Sequence, residues 1–549
     1  MRRPLAHLCL LAWLPACAAA APPGETPLVF TPASGEATEA YEGSFAVPEN
    51  RAEADSRTLT LRYVRFPATG DAAGPPIVYL AGGPGGSGIE TARGPRFALF
   101  QAMRAFGDVI ALDQRGTGAS SDLPLCVSSV VIRDAEPASA EVVAAAYRAA
   151  ALECAGFWED EGVDLRGYTT AESARDLDAL REHLGAERIT LWGISYGTHL
   201  ALAAMREMGP RLDRAILASV EGLGQTVKLP ARTDAYVARL QSAVDSQPGA
   251  AAAYGDVRAM MRRVHARLDA APIPLSVAFA DGRRGQVLLQ TYGLQMITSA
   301  LIADPEGAAM ALSVYRELDS GRTETVSVLL GRFLGRPDAP ITLSPMSLAM
   351  DVASGIGAER LALVRAQAAT SLLADTLNFP MPQLAGALPD LDLGDAFRKA
   401  PASDVPTLIL SGTLDGRTYP ESAREAASGL SAARFVLVEG AGHNLFMTSP
   451  EVEAVERGGD DHDFIASQRE IVRAVRAANP HVTIGVGWPQ NCDLAPANLE
   501  RWAQLIVRSG ADYLALPTPM PNAVLTVIDM PMATEAQEVT ISRRYLVDR

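Results

Sequence analysis

A short strand-like run, Arg188 to Trp192, leads into Gly193-Ile194-Ser195-Tyr196-Gly197 and then into a helical segment beginning near Thr198 and carrying the small residues Ala201, Ala203 and Ala204. Few features constrain a chain more. A serine between a strand and a helix, with glycine two positions to either side, predicts a turn so tight that larger flanking side chains would clash. The same turn predicts a strained backbone that pushes the Ser195 hydroxyl outward. By independent residue frequencies the five-residue pattern alone is weak, and its strand-turn-helix setting is what raises it.

The alternation continues along the chain. Strand-like runs occur at Leu59 to Phe66, Ile77 to Leu80, Val109 to Leu112, Ile189 to Trp192 and Ala215 to Ser219, with helical patterns between several of them, such as Ala171 to Leu184. Strands alternating with helices predict a mostly parallel sheet covered on both faces. Residues 22–58, rich in Pro, Gly, Glu and Thr, read as an irregular lead-in. After residue 222 the texture changes to long amphipathic segments, Ala235 to Val244, Val257 to Leu268, Leu288 to Ile302 and Glu359 to Leu373, with few strand candidates. Strands return at Thr407 to Leu410 and Phe435 to Val438. The predicted organisation is a core in two parts, 22–221 and 401–460, interrupted by a helical cap over 222–400. Residues 461–549 form an extension of unassigned role, in which Asp463 to Ala478 and Ala497 to Ser509 read as helices and Val482 to Val486 and Tyr513 to Leu516 as strands.

With 549 residues, 48% hydrophobic and 20% charged, the chain can bury at least one full core. Its formal net charge of -16 argues against nucleic acid or an anionic membrane surface as partner, because both reward clustered Lys and Arg. Met1-Arg2-Arg3-Pro4, the apolar run Leu5 to Leu14 and the small residues around Ala18 to Ala20 read as an export signal over 1–21, too short for a transmembrane span. Cleavage near Ala20 is one route. Cleavage before Cys17 with lipidation is the other, since Leu14-Pro15-Ala16-Cys17 is similar to a bacterial lipobox, although Pro15 is unusual there. The chain is thus read as exported: periplasmic, secreted or lipid-anchored. In an oxidising compartment Cys126 and Cys154, 28 residues apart, are the natural disulfide pair, with Cys492 left over. Three ordinary buried thiols are the alternative.

A serine hydroxyl is a poor nucleophile and needs a base, which a carboxylate holds in one tautomer. His443, in Gly440-Ala441-Gly442-His443-Asn444, follows a strand on a glycine-rich turn and is the candidate base. Asp415, in Gly412-Thr413-Leu414-Asp415-Gly416, is the candidate acid, and one helix (Glu421 to Leu430) and one strand fit between the two. Asp404 is the rival acid, but it precedes its strand and would lie at the far end. The glycine-rich Gly82-Gly83-Pro84-Gly85-Gly86-Ser87-Gly88 follows an apolar strand, where backbone N–H groups can approach a developing oxyanion. Pro84 has no N–H, so the hole is assigned to the N–H groups of Gly83 and Tyr196. A phosphate-cradling loop would need a Gly-Lys-Ser/Thr ending that is missing. Asp460-Asp461-His462-Asp463 reads as a solvated stretch rather than a metal site, and no metal or cofactor is called for.

These motifs, with Asp113-Gln114-Arg115-Gly116-Thr117-Gly118 and Ser120, resemble those of the proline iminopeptidase and tripeptidyl aminopeptidase family of α/β-hydrolase serine peptidases over residues 40–450 or so. The resemblance implies an α/β-hydrolase fold with an inserted helical cap, a Ser195, Asp415 and His443 triad, and a peptide substrate with a free N-terminus. It also implies an acidic group for the substrate ammonium. Glu221, in Ser219-Val220-Glu221-Gly222, is the candidate, and a hinge-loop carboxylate facing water is the alternative. Asp113 and Arg115 read as braces for their own loop. Ala81 stands where many relatives have His, and the tail beyond about 460 has no counterpart in the family. An esterase or amidase on the same triad, and an inactive binding protein with the same fold, are the competing functions. Oligomeric state is left open.

Overall fold

The computed structural model describes residues 24–70, 74–448, 513–517, 523–528 and 538–545. The strands, in chain order, are β1 (Thr26–Phe30), β2 (Thr38–Pro48), β3 (Thr58–Phe66), β4 (Gly74–Leu80), β5 (Gly107–Leu112), β6 (Cys126–Val131), β7 (Ile189–Ile194) and β8 (Leu212–Ala218). They continue as β9 (Ile273–Ala278), β10 (Arg284–Leu289), β11 (Pro340–Leu343), β12 (Thr407–Gly412), β13 (Ala433–Glu439), β14 (Tyr513–Pro517), β15 (Ala523–Ile528) and β16 (Glu538–Tyr545). Twelve of these form one sheet in the order β1-β2-β3-β5-β4-β7-β8-β12-β13-β16-β15-β14. From β5 to β16 every neighbouring pair is parallel, and the strands outside that span pair antiparallel.

Period-two alternation decides which side of the sheet each residue serves. Val78, Leu80, Ile110, Leu112 and Leu191 join one buried cluster with helices Ala140–Asp160, Thr170–His183 and Tyr196–Met208. Ile77, Tyr79, Val109, Ala111 and Trp192 join the opposite cluster with helices Gly88–Arg93 and Phe97–Met103. β7, buried at all six positions, lies between these layers. Its carboxyl end therefore delivers Ser195 from a strand buried along its whole length.

The lead-in of residues 22–58 is not irregular: it supplies β1 and β2. Phe45 and Val47 face inward while Ser44 and Ala46 do not, and Gly43, which the sequence offers as a breaker, is the point where the Tyr63 ring crosses β2. The segment between β8 and β12 carries long helices, including Pro230–Asp245, Val257–Ala270 and Pro305–Asp319, around its own buried cluster, while its helix Pro345–Ser354 packs into the cluster of the sheet with Ala140–Asp160. It also contains strands where few were expected. β9 and β10 make a hairpin, so the single helix expected over Leu288 to Ile302 is split into the end of β10 and the helix Thr291–Leu301. β11 leaves the insert to pair with β6 of the core.

Cys126 and Cys154 are joined by a disulfide between β6 and helix Ala140–Asp160, with Cα atoms 5.6 Å apart. Tyr513 to Leu516 falls on β14. The leader, Cys17, Cys492, His462 and the elements expected over 463–478, 482–486 and 497–509 lie outside the described residues. Among the described residues no helix is long and apolar enough to cross a membrane.

Candidate active site

Ser195 sits at φ 56° and ψ −126°, a backbone conformation that side-chain-bearing residues rarely adopt, at the head of helix Tyr196–Met208. Strain of this kind costs about 1–3 kcal/mol and persists only where the surroundings enforce it. The surroundings do so. A Cβ at Gly193 would come within 2.8 Å of the Gly197 carbonyl oxygen, and one at Gly197 would overlap the Leu80 carbonyl. The Ser195 N–H is also tied to the Ala218 carbonyl of β8 at 3.1 Å.

The loop after β4 lies against this turn, so close that a Cβ on Gly82 would be 3.0 Å from the Ser195 Cβ. Gly83 has φ 125°, a conformation open to glycine. The loop is braced from behind. Asp113 accepts hydrogen bonds from the Ser87 hydroxyl (2.6 Å) and from the N–H groups of Ile89 (3.0 Å) and Ala119 (2.7 Å), while the Gln114 amide donates to the Ala81 carbonyl (3.1 Å). Arg115, fully buried, pairs with Asp176 and caps the carbonyl groups of Glu49 and Gly167. Tyr196 lies in the first helical turn, where a backbone N–H has no acceptor within its own helix. Its N–H and that of Gly83 thus belong to the two segments that meet at Ser195.

Asp415 and His443 follow β12 and β13, adjacent parallel strands, and Asp404 precedes β12 at the opposite end. The His443 Nδ1 lies 3.1 Å from each oxygen of the fully buried Asp415 carboxylate. Burial alone would raise the pKa of Asp415, but the His443 ring, the Thr418 hydroxyl (2.6 Å) and the Thr418 N–H (2.8 Å) outweigh it and hold the carboxyl below its usual range. With Nδ1 committed to the carboxylate, Nε2 is left for the cavity. The His443 loop is held from the insert: its N–H donates to the Ala303 carbonyl (2.9 Å), and Asp304 accepts from the Asn444 N–H and side-chain amide, both at 2.8 Å. Ser195 and His443 line one cavity of about 460 Å³. No direct hydrogen bond joins them among the described residues.

The model of the family described as alpha/beta hydrolase fold matches residues 75–450. The chain belongs to that family. Serine protease Hip1 of Mycobacterium tuberculosis is 34% identical over 182 residues, which cover 32% of this chain and 35% of that protein. Tripeptidyl aminopeptidase of Streptomyces lividans is 37% identical over 131 residues, 23% of this chain and 24% of that protein. A probable proline iminopeptidase of Streptomyces coelicolor is 32% identical over 140 residues, covering 26% and 31%. The chain thus matches about a third or less of the length of these relatives.

The remaining walls of this hydrolase-fold cavity are charged. Glu221, buried and just past β8, reaches the cavity, but its Oε2 already accepts from the Lys228 ammonium at 2.5 Å. Its Oε1 lies 4.0 Å from Nδ1 of His199, whose pKa burial pushes down. Neither a water-facing hinge carboxylate nor a vacant amine site describes it. Asp351, on the insert helix Pro345–Ser354, is pushed up to about 7 by burial and by the charge of Glu221. Sequence reasoning missed Lys228, Asp304, Asp351, Arg417 and Thr418. Thr418 alone left a signal, a hydroxyl three residues past a buried turn aspartate.

Proposed function

We propose that the protein is an exported serine aminopeptidase that releases proline or a short peptide from free N-termini through an acyl-enzyme. The reading rests chiefly on Ser195, on its strained turn, sharing one cavity with the hydrogen-bonded His443 and Asp415 pair. Ser195 attacks the scissile carbonyl carbon while His443 takes its proton at Nε2, and Asp415 stabilises the imidazolium from the Nδ1 side. The N–H groups of Gly83 and Tyr196 meet the oxyanion. His443 returns the proton to the leaving amine, and water then repeats the sequence on the ester. The names of the relatives support peptide substrates, and the Cys126–Cys154 disulfide supports an oxidising compartment.

Glu221 is the proposed partner of the substrate ammonium, shared with Lys228. That existing ion pair also favours a second reading, an esterase or amidase with no need for a free amine. Proline, alanine and short-peptide anilides, with and without N-acetylation, and a nitrophenyl ester separate the two. Cleavage of the anilides that vanishes on acetylation is the expected result; ester turnover without amide cleavage sinks the aminopeptidase reading. Glu221→Gln should raise KM several-fold for free-amine substrates and less for esters.

A further inference from the structure

Arg417 lies between Asp415 and Thr418, and its backbone N–H donates to Asp415 at 2.7 Å, so the triad acid itself fixes the loop. Its side chain is half-buried in the wall of the Ser195 cavity. Among the described residues its guanidinium has no hydrogen bond and no ion pair. Other buried or half-buried arginines are held by carboxylates: Arg65 by Glu25 and Asp108, Arg51 by Glu172 and Asp176, and Arg115 by Asp176. The Arg417 nitrogens stay accessible from the cavity, while partial burial pulls the pKa below the usual guanidinium range.

The carboxylates facing Arg417 act on it only through charge and make no hydrogen bond to it: Asp415 bonds His443 and Thr418, and Glu221 bonds Lys228. The third cation of the cavity, Arg96, is bonded to the Tyr79 hydroxyl and the Asn444 side chain. A positive charge is thus left over in the wall of the cavity that Ser195 and His443 also line, on a planar fork suited to two parallel hydrogen bonds.

We propose that the Arg417 guanidinium receives a carboxylate of the substrate and so sets the specificity of this cavity. The proposal rests on the hydrolase reading of Ser195 and narrows its substrate class. The carboxylate has two sources: an acidic side chain on the residue whose carbonyl is attacked, or the free C-terminus of a short peptide.

Two matched pairs test it with the full-length protein. One is the free-amine glutamyl anilide against the glutaminyl anilide; the other is a tetra-alanine free acid against its amide. The carboxylate member of one pair should be favoured about tenfold or more in kcat/KM, and which pair responds identifies the source. Arg417→Met should bring that ratio near one and Arg417→Lys should keep part of it. A ratio measured on one preparation does not depend on how much of a variant folds. No preference in either pair, or a preference that survives Arg417→Met, overturns the proposal. If no amide is cleaved, the peptidase reading has failed separately, and nitrophenyl hydrogen glutarate against nitrophenyl butyrate poses the same question. If nothing is turned over, calorimetry with glutarate and glutaramide decides, and equal binding of the two overturns the proposal.

Discussion

The sheet and the insert support the residues of the cavity in opposite ways. On the sheet side backbone geometry governs. Ser195 is forced into its turn, Gly193 and Gly197 have no room for a side chain, and Asp415 has each oxygen hydrogen-bonded. On the insert side single side chains do the holding: Asp304 grips the His443 loop, and Asp351 is kept near a second carboxylate at a pKa of about 7. The sheet side holds its residues through backbone geometry, while the insert side acts through single hydrogen bonds and a buried carboxyl.

If that contrast is right, damage on the two sides should differ in kind. Ser195→Ala should lower kcat about 10⁴-fold or more with the melting temperature little changed. Near-wild-type turnover would remove Ser195 from the chemistry. Gly197→Ala should cost more than about 3 kcal/mol in denaturant unfolding, because the Leu80 carbonyl is part of the sheet and cannot yield. Asp304→Ala should act more gently, lowering kcat about tenfold as the imidazole loses its tether, with a smaller change in KM. An unchanged kcat would show that the sheet holds the base unaided.

The smallest effect concerns Asp351. Its folded pKa of about 7 lies above the ordinary value of 3.8, so the folded state keeps a proton that the unfolded chain gives up. Stability from this group therefore falls as pH rises between those two values, and is flat above the upper one. Asp351→Asn should flatten that slope, seen as a melting temperature that gains on wild type by a few degrees at pH 8 and not at pH 4. A parallel pH dependence in the two proteins would show that the carboxyl is not strained.

The same contrast explains what could be read from the chain. The strands bearing Ser195, Asp415 and His443 were legible because backbone turns impose local patterns: glycine at fixed spacing, an apolar run before it, a helix after it. β1 and β2 were missed because Glu39, Gly43 and Pro48 hide an alternation that only Phe45 and Val47 carry. Asp304, Asp351 and Lys228 were illegible for a different reason. Asp304 matters through Asn444, more than a hundred residues away, and Asp351 through burial by other elements, which no local spacing encodes; Lys228 matters through Glu221, seven residues before it, at a spacing that fits no helix or strand repeat.

The tether between Ala303 and His443 has a mechanical corollary. Because the His443 loop hangs partly from the insert, the two cannot be displaced independently. Any shift of Ala303 and Asp304 would slacken the imidazole, so the position of His443 depends on how that part of the insert is seated.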